Sequence, residues 1–132
     1  MRRSGLLHAE LNRIIAAMGH TDTLVIGDVG LPVPHGVPCI DLAVLPGTPA
    51  FATVFDAVFA ELAVEHATIA SEIHAHNPAM VALKKRLEDS GVPVDELYHE
   101  DFKAATRRAV AVIRTGETSP YANIILHAGV TF

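Results

Sequence analysis

The sequence predicts a three-layer α/β/α fold in a single domain, residues 1–132, with a mostly parallel or mixed sheet of about six strands. Segments with apolar residues at helical spacing alternate with short apolar runs rich in β-branched residues along the whole chain. This alternation favours a sheet covered by helices on both faces. The 132 residues suit one domain, and no linker, internal repeat or low-complexity segment divides them.

Four segments predict helices. In the first, residues 5–18, we expect Ser4 to cap the start, Gly19 to cap the end and His8 to face solvent. The second begins at Thr48-Pro49, a cap followed by proline at the first helical position, and carries an apolar stripe from Phe51 to Leu62. The others cover residues 77–90, between Asn77-Pro78 and Gly91, and residues 100–109, while residues 71–76 remain ambiguous.

The predicted strands cover residues 23–26, 39–45, 63–70, 92–98, 110–114 and 122–128. Asp41 lies inside the second strand, and we expect it to face solvent. Tyr121 and Asn123 are two residues apart, so their side chains would share one face of the last strand.

Composition excludes several classes of function. The net charge of −5 and the pI of about 5.8 argue against nucleic-acid binding. No apolar run approaches the ~20 residues of a membrane span, and residues 6–18 lack a secretory apolar core, so we expect a cytoplasmic protein. Cys39 is the only cysteine, which rules out an internal disulfide. The hydrophobic content of 50% favours self-association into a homo-oligomer.

The stretch from Gly19 to Pro34, GHTDTLVIGDVGLPVP, contains the first candidate site residues. His20 precedes a buried strand and Asp28 follows it. A histidine can transfer protons near neutral pH, and a carboxylate can accept two hydroxyl hydrogen bonds, a pair that suits a small polyol. Structural roles are open too, because Gly-His often ends a helix and Asp-Gly often forms a turn.

Two further candidates lie near predicted strand ends. His99 ends the fourth predicted strand, although it could equally begin the following helix. In the sequence SPYAN, Tyr121 offers an aromatic plane and a hydroxyl, and Asn123 offers an amide for vicinal hydroxyls. Ordinary turn and strand-edge roles are the alternative for these residues.

The eight histidines raise the question of a metal site. His74 and His76 form an H-x-H pair, but no third ligand follows at a characteristic distance, so we favour a loop or a helix start. The chain also lacks a glycine-rich phosphate loop, a G-x-S-x-G motif and a cysteine with the sequence context of a nucleophile. We therefore expect neither a metal nor a cofactor.

The stretch GHTDTLVIGDVGLPVP, the central HNP and the C-terminal IRTGETSPYANIILHAGVTF resemble the ribose branch of the ribose pyranase and fucose mutarotase family. The resemblance covers the whole chain. It implies a cofactor-free isomerase that interconverts the pyranose and furanose forms of free D-ribose for ribokinase. It also implies ring-shaped homo-oligomers with active sites between neighbouring subunits.

The same resemblance assigns residues to roles. It implies that His20 is the proton donor and that Asp28, His99, Tyr121, Ala122 and Asn123 bind substrate, and it assigns no role to His127. Because His20 and Asn123 lie at opposite ends of the chain, they could meet within one subunit or across two. Alternative functions are a mutarotase for fucose or another free sugar, a non-catalytic sugar-binding module of a ribose uptake system and, as a distant third, a metal-dependent enzyme.

Overall fold

A six-stranded mixed sheet forms the centre of the protein in a computed structural model that describes all residues, 1–132. The spatial order of the strands is β2-β5-β1-β6-β3-β4. Only β6 is antiparallel to its neighbours, and the other five strands run in one direction. The strand bounds are β1 Thr23–Gly27, β2 Cys39–Asp41, β3 Val64–Ala70, β4 Val94–Leu97, β5 Ala111–Arg114 and β6 Ile124–Ala128.

Helices cover both faces of the sheet, as the sequence predicts. They are α1 Ala9–Ala17, α2 Phe51–Phe59, α3 Ile73–His76, α4 Pro78–Asp89 and α5 His99–Ala105, the last followed by a 3₁₀ turn, Thr106–Arg108. Side chains of α1, α2 and α4 pack with Leu24 and Ile26 in the larger core cluster. On the opposite face, Val25 packs with Phe102 of α5 and Leu31 of the following loop. The three-layer α/β/α prediction is therefore confirmed. None of the five helices combines the length and the apolar composition that crossing a membrane requires.

The first helix is shorter than predicted at its N-terminus. It begins at Ala9, and the N-cap is His8, whose Nδ1 accepts a hydrogen bond from the Leu11 N–H at 3.3 Å. The Ser4 cap was therefore wrong, while His8 is exposed as predicted, although it lies at the N-cap and not inside the helix. The His8 imidazole accepts a hydrogen bond from a backbone N–H of the first turn, as an N-cap side chain does. The residues before His8, including the exposed Leu7, therefore lie outside the helix.

The start of α2 also differs from the prediction. Thr48-Pro49 is a cis peptide in the turn before the helix, and the N-cap residue is Ala50. This turn packs against Gly116, where an added Cβ would lie 2.3 Å from the Thr48 carbonyl oxygen. The first helical N–H, that of Phe51, donates instead to the Glu117 carboxylate at 3.1 Å. A residue distant in sequence therefore replaces the predicted local cap.

Three strands are shorter than predicted by two or more residues. β2 ends at Asp41 because its partner β5 ends at Arg114, and Arg114 forms an ion pair with Asp41 at 2.8 Å. β4 ends at Leu97, and His99 is the first residue of α5, so the helix-start alternative for His99 was right. β6 begins at Ile124, which means that Tyr121 and Asn123 do not share a strand face.

Candidate functional site

The carboxyl ends of the parallel strands meet at one edge of the sheet, which we call the carboxyl edge. Asp28 follows β1, Glu72 lies just after β3, and His99 follows β4. Because β6 runs the opposite way, its first residues, preceded by Tyr121 and Asn123, arrive at the same edge. Loops at this edge of α/β sheets are where ligands most often bind.

Asp28 and Asn123 form a closed pair at this edge. The Asp28 backbone N–H donates to Asn123 Oδ1 at 2.8 Å, and Asn123 Nδ2 donates to Asp28 Oδ2 at 2.9 Å. The other carboxylate oxygen of Asp28 accepts from the Gly30 N–H at 2.9 Å. An added Cβ at Gly27 would lie 3.1 Å from Asn123 Oδ1, so the absence of a side chain there permits the close approach. The carboxylate is thus held in one orientation with lone pairs left for a ligand.

Tyr121 reaches the edge through a left-handed backbone conformation, φ +59°. The loop before it is fixed by Asn77, whose Nδ2 donates to the Pro120 carbonyl oxygen at 2.8 Å while its Oδ1 caps α4. A left-handed non-glycine residue costs free energy and persists where surrounding contacts define it. These contacts therefore fix the backbone position from which the Tyr121 side chain extends.

A cleft of about 490 Å³ opens beside Tyr121 and His99, and its other lining residues are Ser71, Glu72, Tyr98 and Glu100. The Tyr121 and His99 rings meet edge to face with centroids 5.0 Å apart. The His99 backbone N–H donates to both Glu72 carboxylate oxygens, at 2.8 and 3.2 Å. His99 Nδ1 is buried and has no hydrogen-bond partner. An aromatic wall with hydroxyl and imidazole groups is suited to a small polyhydroxylated ligand.

Ala122 lies next to this cleft but turns its methyl group into the core, where it is only 2% exposed. Its side chain also lines an apolar cavity of about 240 Å³ between α2 and α4. A ligand at the carboxyl edge could therefore contact Ala122 only through its backbone.

Glu117 fixes the start of the loop that carries Tyr121. Burial opposes its ionisation, yet hydrogen bonds from the backbone N–H groups of Ser119, Phe51 and Thr118 hold the pKa of the carboxyl below its ordinary value. The ionised carboxylate thereby ties the loop to the N-terminus of α2.

His20 lies at the opposite edge of the sheet, before the amino end of β1. The five residues of β1 separate it from Asp28 by about 16 Å, at roughly 3.3 Å per residue. Its side chain is 53% exposed, and its Nε2 lies 2.9 Å from Glu65 Oε2, at the start of β3. The structure therefore places Asp28, His99 and the segment Tyr121 to Asn123 at the carboxyl edge, and His20 at the opposite edge. At the carboxyl edge, Asp28 contacts Asn123 and His99 contacts Tyr121.

The H-x-H pair does not form a metal site with other residues. His74 and His76 lie in helix α3, where His74 pairs with Glu96 and His76 stands beside Tyr121 with ring centroids 5.5 Å apart. No three histidine, cysteine, aspartate or glutamate side chains in the chain come close enough to hold a metal ion together.

Three glutamates that were not predicted as site residues organise the candidate residues: Glu65 beside His20, Glu72 at His99 and Glu117 under the Tyr121 loop. Glu65 carried a detectable signal, since a charged residue interrupts the apolar strand AVEHATIA. Glu72 and Glu117 lie in turns, where a carboxylate is common and gives no such signal.

The fold and the edge cluster define an α/β protein with a cleft for a small polar ligand. A family model described as the RbsD / FucU transport protein family matches residues 1–131, and the chain belongs to this family. Its curated relatives include proteins named D-ribose pyranase from Bacillus licheniformis, 52% identical, and Paracidovorax citrulli, 54% identical, each aligned over 100% of both chains.

Solved structures show the same fold. Bacillus subtilis RbsD complexed with D-ribose superposes with a TM-score of 0.94 at 48% identity, covering 100% of both chains. A fucose mutarotase from Streptococcus pneumoniae in complex with L-fucose gives a TM-score of 0.75 at 23% identity, covering 96% of this chain and 95% of its own. At that identity, the second match supports the fold alone.

Proposed function

We propose that the protein is an isomerase that converts β-D-ribopyranose to β-D-ribofuranose by acid–base opening and reclosure of the sugar ring. Relatives about half identical over the full length are named D-ribose pyranase, and the RbsD neighbour at 48% identity was solved with D-ribose. The observation that carries the proposal in this chain is the carboxyl edge, which holds both the cleft beside Tyr121 and His99 and the anchored Asp28 carboxylate.

The reaction requires two proton transfers and no redox step. The anomeric hydroxyl loses a proton while the ring oxygen gains one, and the C1–O5 bond breaks to give the open aldehyde. After rotation, the C4 hydroxyl adds to the aldehyde and closes the five-membered ring. We assign His20 as the acid toward the ring oxygen, a role that contributes about 10²–10⁴-fold. Asp28, His99 and Tyr121 would hold the sugar hydroxyls.

The two edges of the sheet support a site shared between copies of the chain. His20 lies at one edge and its proposed partners at the other, so one copy cannot present both to a single pentose. A head-to-tail contact, in which the His20 edge of one copy meets the carboxyl edge of the next, would complete the site. Such heterologous contacts close into rings when the rotation permits. We therefore propose a ring-shaped homo-oligomer.

Asn123 has a different role in this arrangement. Its side chain is 1% exposed and both its amide groups are engaged with Asp28. We propose that Asn123 acts on the substrate by holding Asp28, and that Ala122 contributes only backbone groups. In the cell, the enzyme would act on free ribose in the cytoplasm, where the furanose product is the form that a ribokinase consumes.

Saturation-transfer NMR on ribose tests the proposal, because it reports exchange between ring forms without a coupled enzyme. We expect the wild-type protein, with no metal added, to accelerate exchange, and His20→Ala to abolish the acceleration. His35→Ala is the matched control, since His35 is an exposed loop histidine that we expect to be dispensable.

Three outcomes would contradict the proposal. Binding of ribose without acceleration would indicate a non-catalytic sugar-binding module. Faster exchange of fucose than of ribose would indicate a hexose mutarotase. Full activity of His20→Ala would remove His20 from the mechanism.

A further inference from the structure

His20 is held by a carboxylate that no part of the proposed mechanism uses. Its Nε2 lies 2.9 Å from Glu65 Oε2, a normal hydrogen-bond distance. The other Glu65 oxygen lies 3.7 Å from Nδ1 of His66, whose ring stacks on His127 with centroids 3.7 Å apart. Glu65 therefore stands between the His20 imidazole and the His66 imidazole, which stacks on His127.

The backbone on the His20 side is shaped to present this imidazole. Thr21, the next residue, has a left-handed conformation with φ +73°, and its N–H donates to the Ala128 carbonyl oxygen at 2.9 Å. The Asp22 carboxylate closes the turn by accepting from the Gly19 N–H at 2.8 Å. A strained non-glycine residue held by contacts on both sides is characteristic of functional positions.

The backbone on the Glu65 side is irregular as well. The β3–β6 register shifts between Val64 and His66, so Glu65 occupies a bulge. Bulges redirect a side chain that a regular strand would point elsewhere. Across the bulge, an added Cβ at Gly129 would lie 3.0 Å from the Glu65 Cβ, a distance tighter than ordinary contact. Two independent backbone irregularities thus bring one carboxylate to one imidazole.

We propose that Glu65 is a positioning residue that binds the Nε2–H of His20 and thereby presents Nδ1 as the nitrogen that exchanges the proton with the sugar. A hydrogen bond to one ring nitrogen decides which nitrogen is free and fixes the orientation of the ring. In the acid step, the Nδ1 proton passes to the ring oxygen as the C1–O5 bond breaks, and solvent water takes the proton of the anomeric hydroxyl. On reclosure, Nδ1 accepts the proton that the C4 hydroxyl releases, which restores the imidazolium, and water returns a proton to the former aldehyde oxygen. The proposal rests on His20 as the catalytic acid.

The test compares Glu65→Ala, which deletes the acceptor, with Glu65→Gln, which keeps an acceptor oxygen at the same reach. Glu96→Ala is the matched control, because it breaks another histidine–glutamate pair, that of His74, outside the proposed machinery. All variants are studied as the assembled full-length protein, with circular dichroism as the check on folding.

We expect Glu65→Ala to lower kcat for ring exchange about 10- to 100-fold with little change in KM, because an imidazole that is free to rotate rarely meets the substrate. The kcat of Glu65→Gln should stay within about threefold of the wild-type value, and the kcat of Glu96→Ala should equal the wild-type value. Unchanged kcat in Glu65→Ala would overturn the proposal, and so would a raised KM at constant kcat, which would indicate direct contact with the sugar.

A second measurement is independent of activity. ¹⁵N NMR of the imidazole nitrogens should show the Nε2–H tautomer of neutral His20 in wild type and Glu65→Gln, and loss of that preference in Glu65→Ala. An Nδ1–H tautomer in wild type would overturn the proposal. A wild-type protein that does not accelerate exchange would end the proposed function, while the tautomer would still decide whether Glu65 holds Nε2.

Discussion

Replacing Asn123 by alanine should loosen the carboxyl edge, because Asn123 and Asp28 are bonded to each other twice. The substitution removes the acceptor of the half-buried Asp28 N–H and the donor to the Asp28 carboxylate. The first loss costs about 1 kcal/mol, and the loss of a hydrogen bond to a charged group costs about 1.5–3 kcal/mol. We expect the free energy of unfolding to fall by about 3 kcal/mol in total.

Denaturant unfolding at a fixed protein concentration measures this loss, since self-association makes stability depend on concentration. A double-mutant cycle with Asp28→Ala isolates the side-chain pair. The coupling free energy should be about 1.5–3 kcal/mol, because Asp28→Ala removes the carboxylate but keeps the backbone N–H that Asn123 Oδ1 accepts.

Asn123→Ala should also weaken ribose binding, because an Asp28 carboxylate without its hydrogen bond from Asn123 samples several rotamers. A change in unfolding free energy below about 0.5 kcal/mol, the usual limit of additivity between independent sites, would refute the Asp28–Asn123 pair as described. Zero coupling in the cycle would refute it equally.

Two pH effects follow from the shifted carboxyl and imidazole groups. Burial would raise the pKa of Glu117, but three backbone N–H groups outweigh it and the pKa is lowered. The ionised carboxylate therefore contributes its full stabilisation above pH 4.5, its ordinary pKa, and this contribution is lost as the pH falls through the lowered pKa. Glu117→Gln should therefore be less stable than wild type at pH 7, with the difference shrinking in acid-dependent denaturation curves; equal stability at pH 7 would contradict this. Burial and the charge of His66 lower the pKa of His127 below 6.5, so the unfolded chain binds the proton more readily and stability falls as the pH drops through 6.5. His127→Gln should flatten that dependence in melting curves between pH 7 and 5, and an NMR titration that places His127 above 6.5 would contradict the assignment.

The spacing of apolar residues along the sequence predicted the layers of the fold, because the layers depend only on which side of each element is buried. The runs that became β1 and β3 are apolar and β-branched, and the Phe51-to-Leu62 stripe has helical spacing, so each pattern reflects the side that packs on the core. Element ends depend on partners that are remote in sequence. β2 stops where β5 stops, and α2 begins where Glu117 accepts its first amide.

The sequence indicated the candidate residues at the carboxyl edge, but not the geometry in which they lie. Asp28 and His99 follow β1 and β4, which run in the same direction, so topology places both residues at the carboxyl edge. The sequence of β6 does not reveal that this strand is antiparallel to β1. The position of Tyr121 and Asn123 at the same edge was therefore not predictable either. The separation of His20 from these residues follows from strand direction, because a residue before a strand and a residue after it lie at opposite edges.

The central claim, a site divided between two copies of the chain, is tested most directly by mixing two inactive variants. His20→Ala subunits carry an intact carboxyl edge, and Asp28→Ala subunits carry an intact His20 edge. Each should be inactive alone, while refolding an equal mixture should restore roughly a quarter of the wild-type rate of ribose ring exchange, the fraction of head-to-tail contacts that join two intact edges. A mixture as inactive as its parents would place His20 and Asp28 in the site of a single chain and contradict the account.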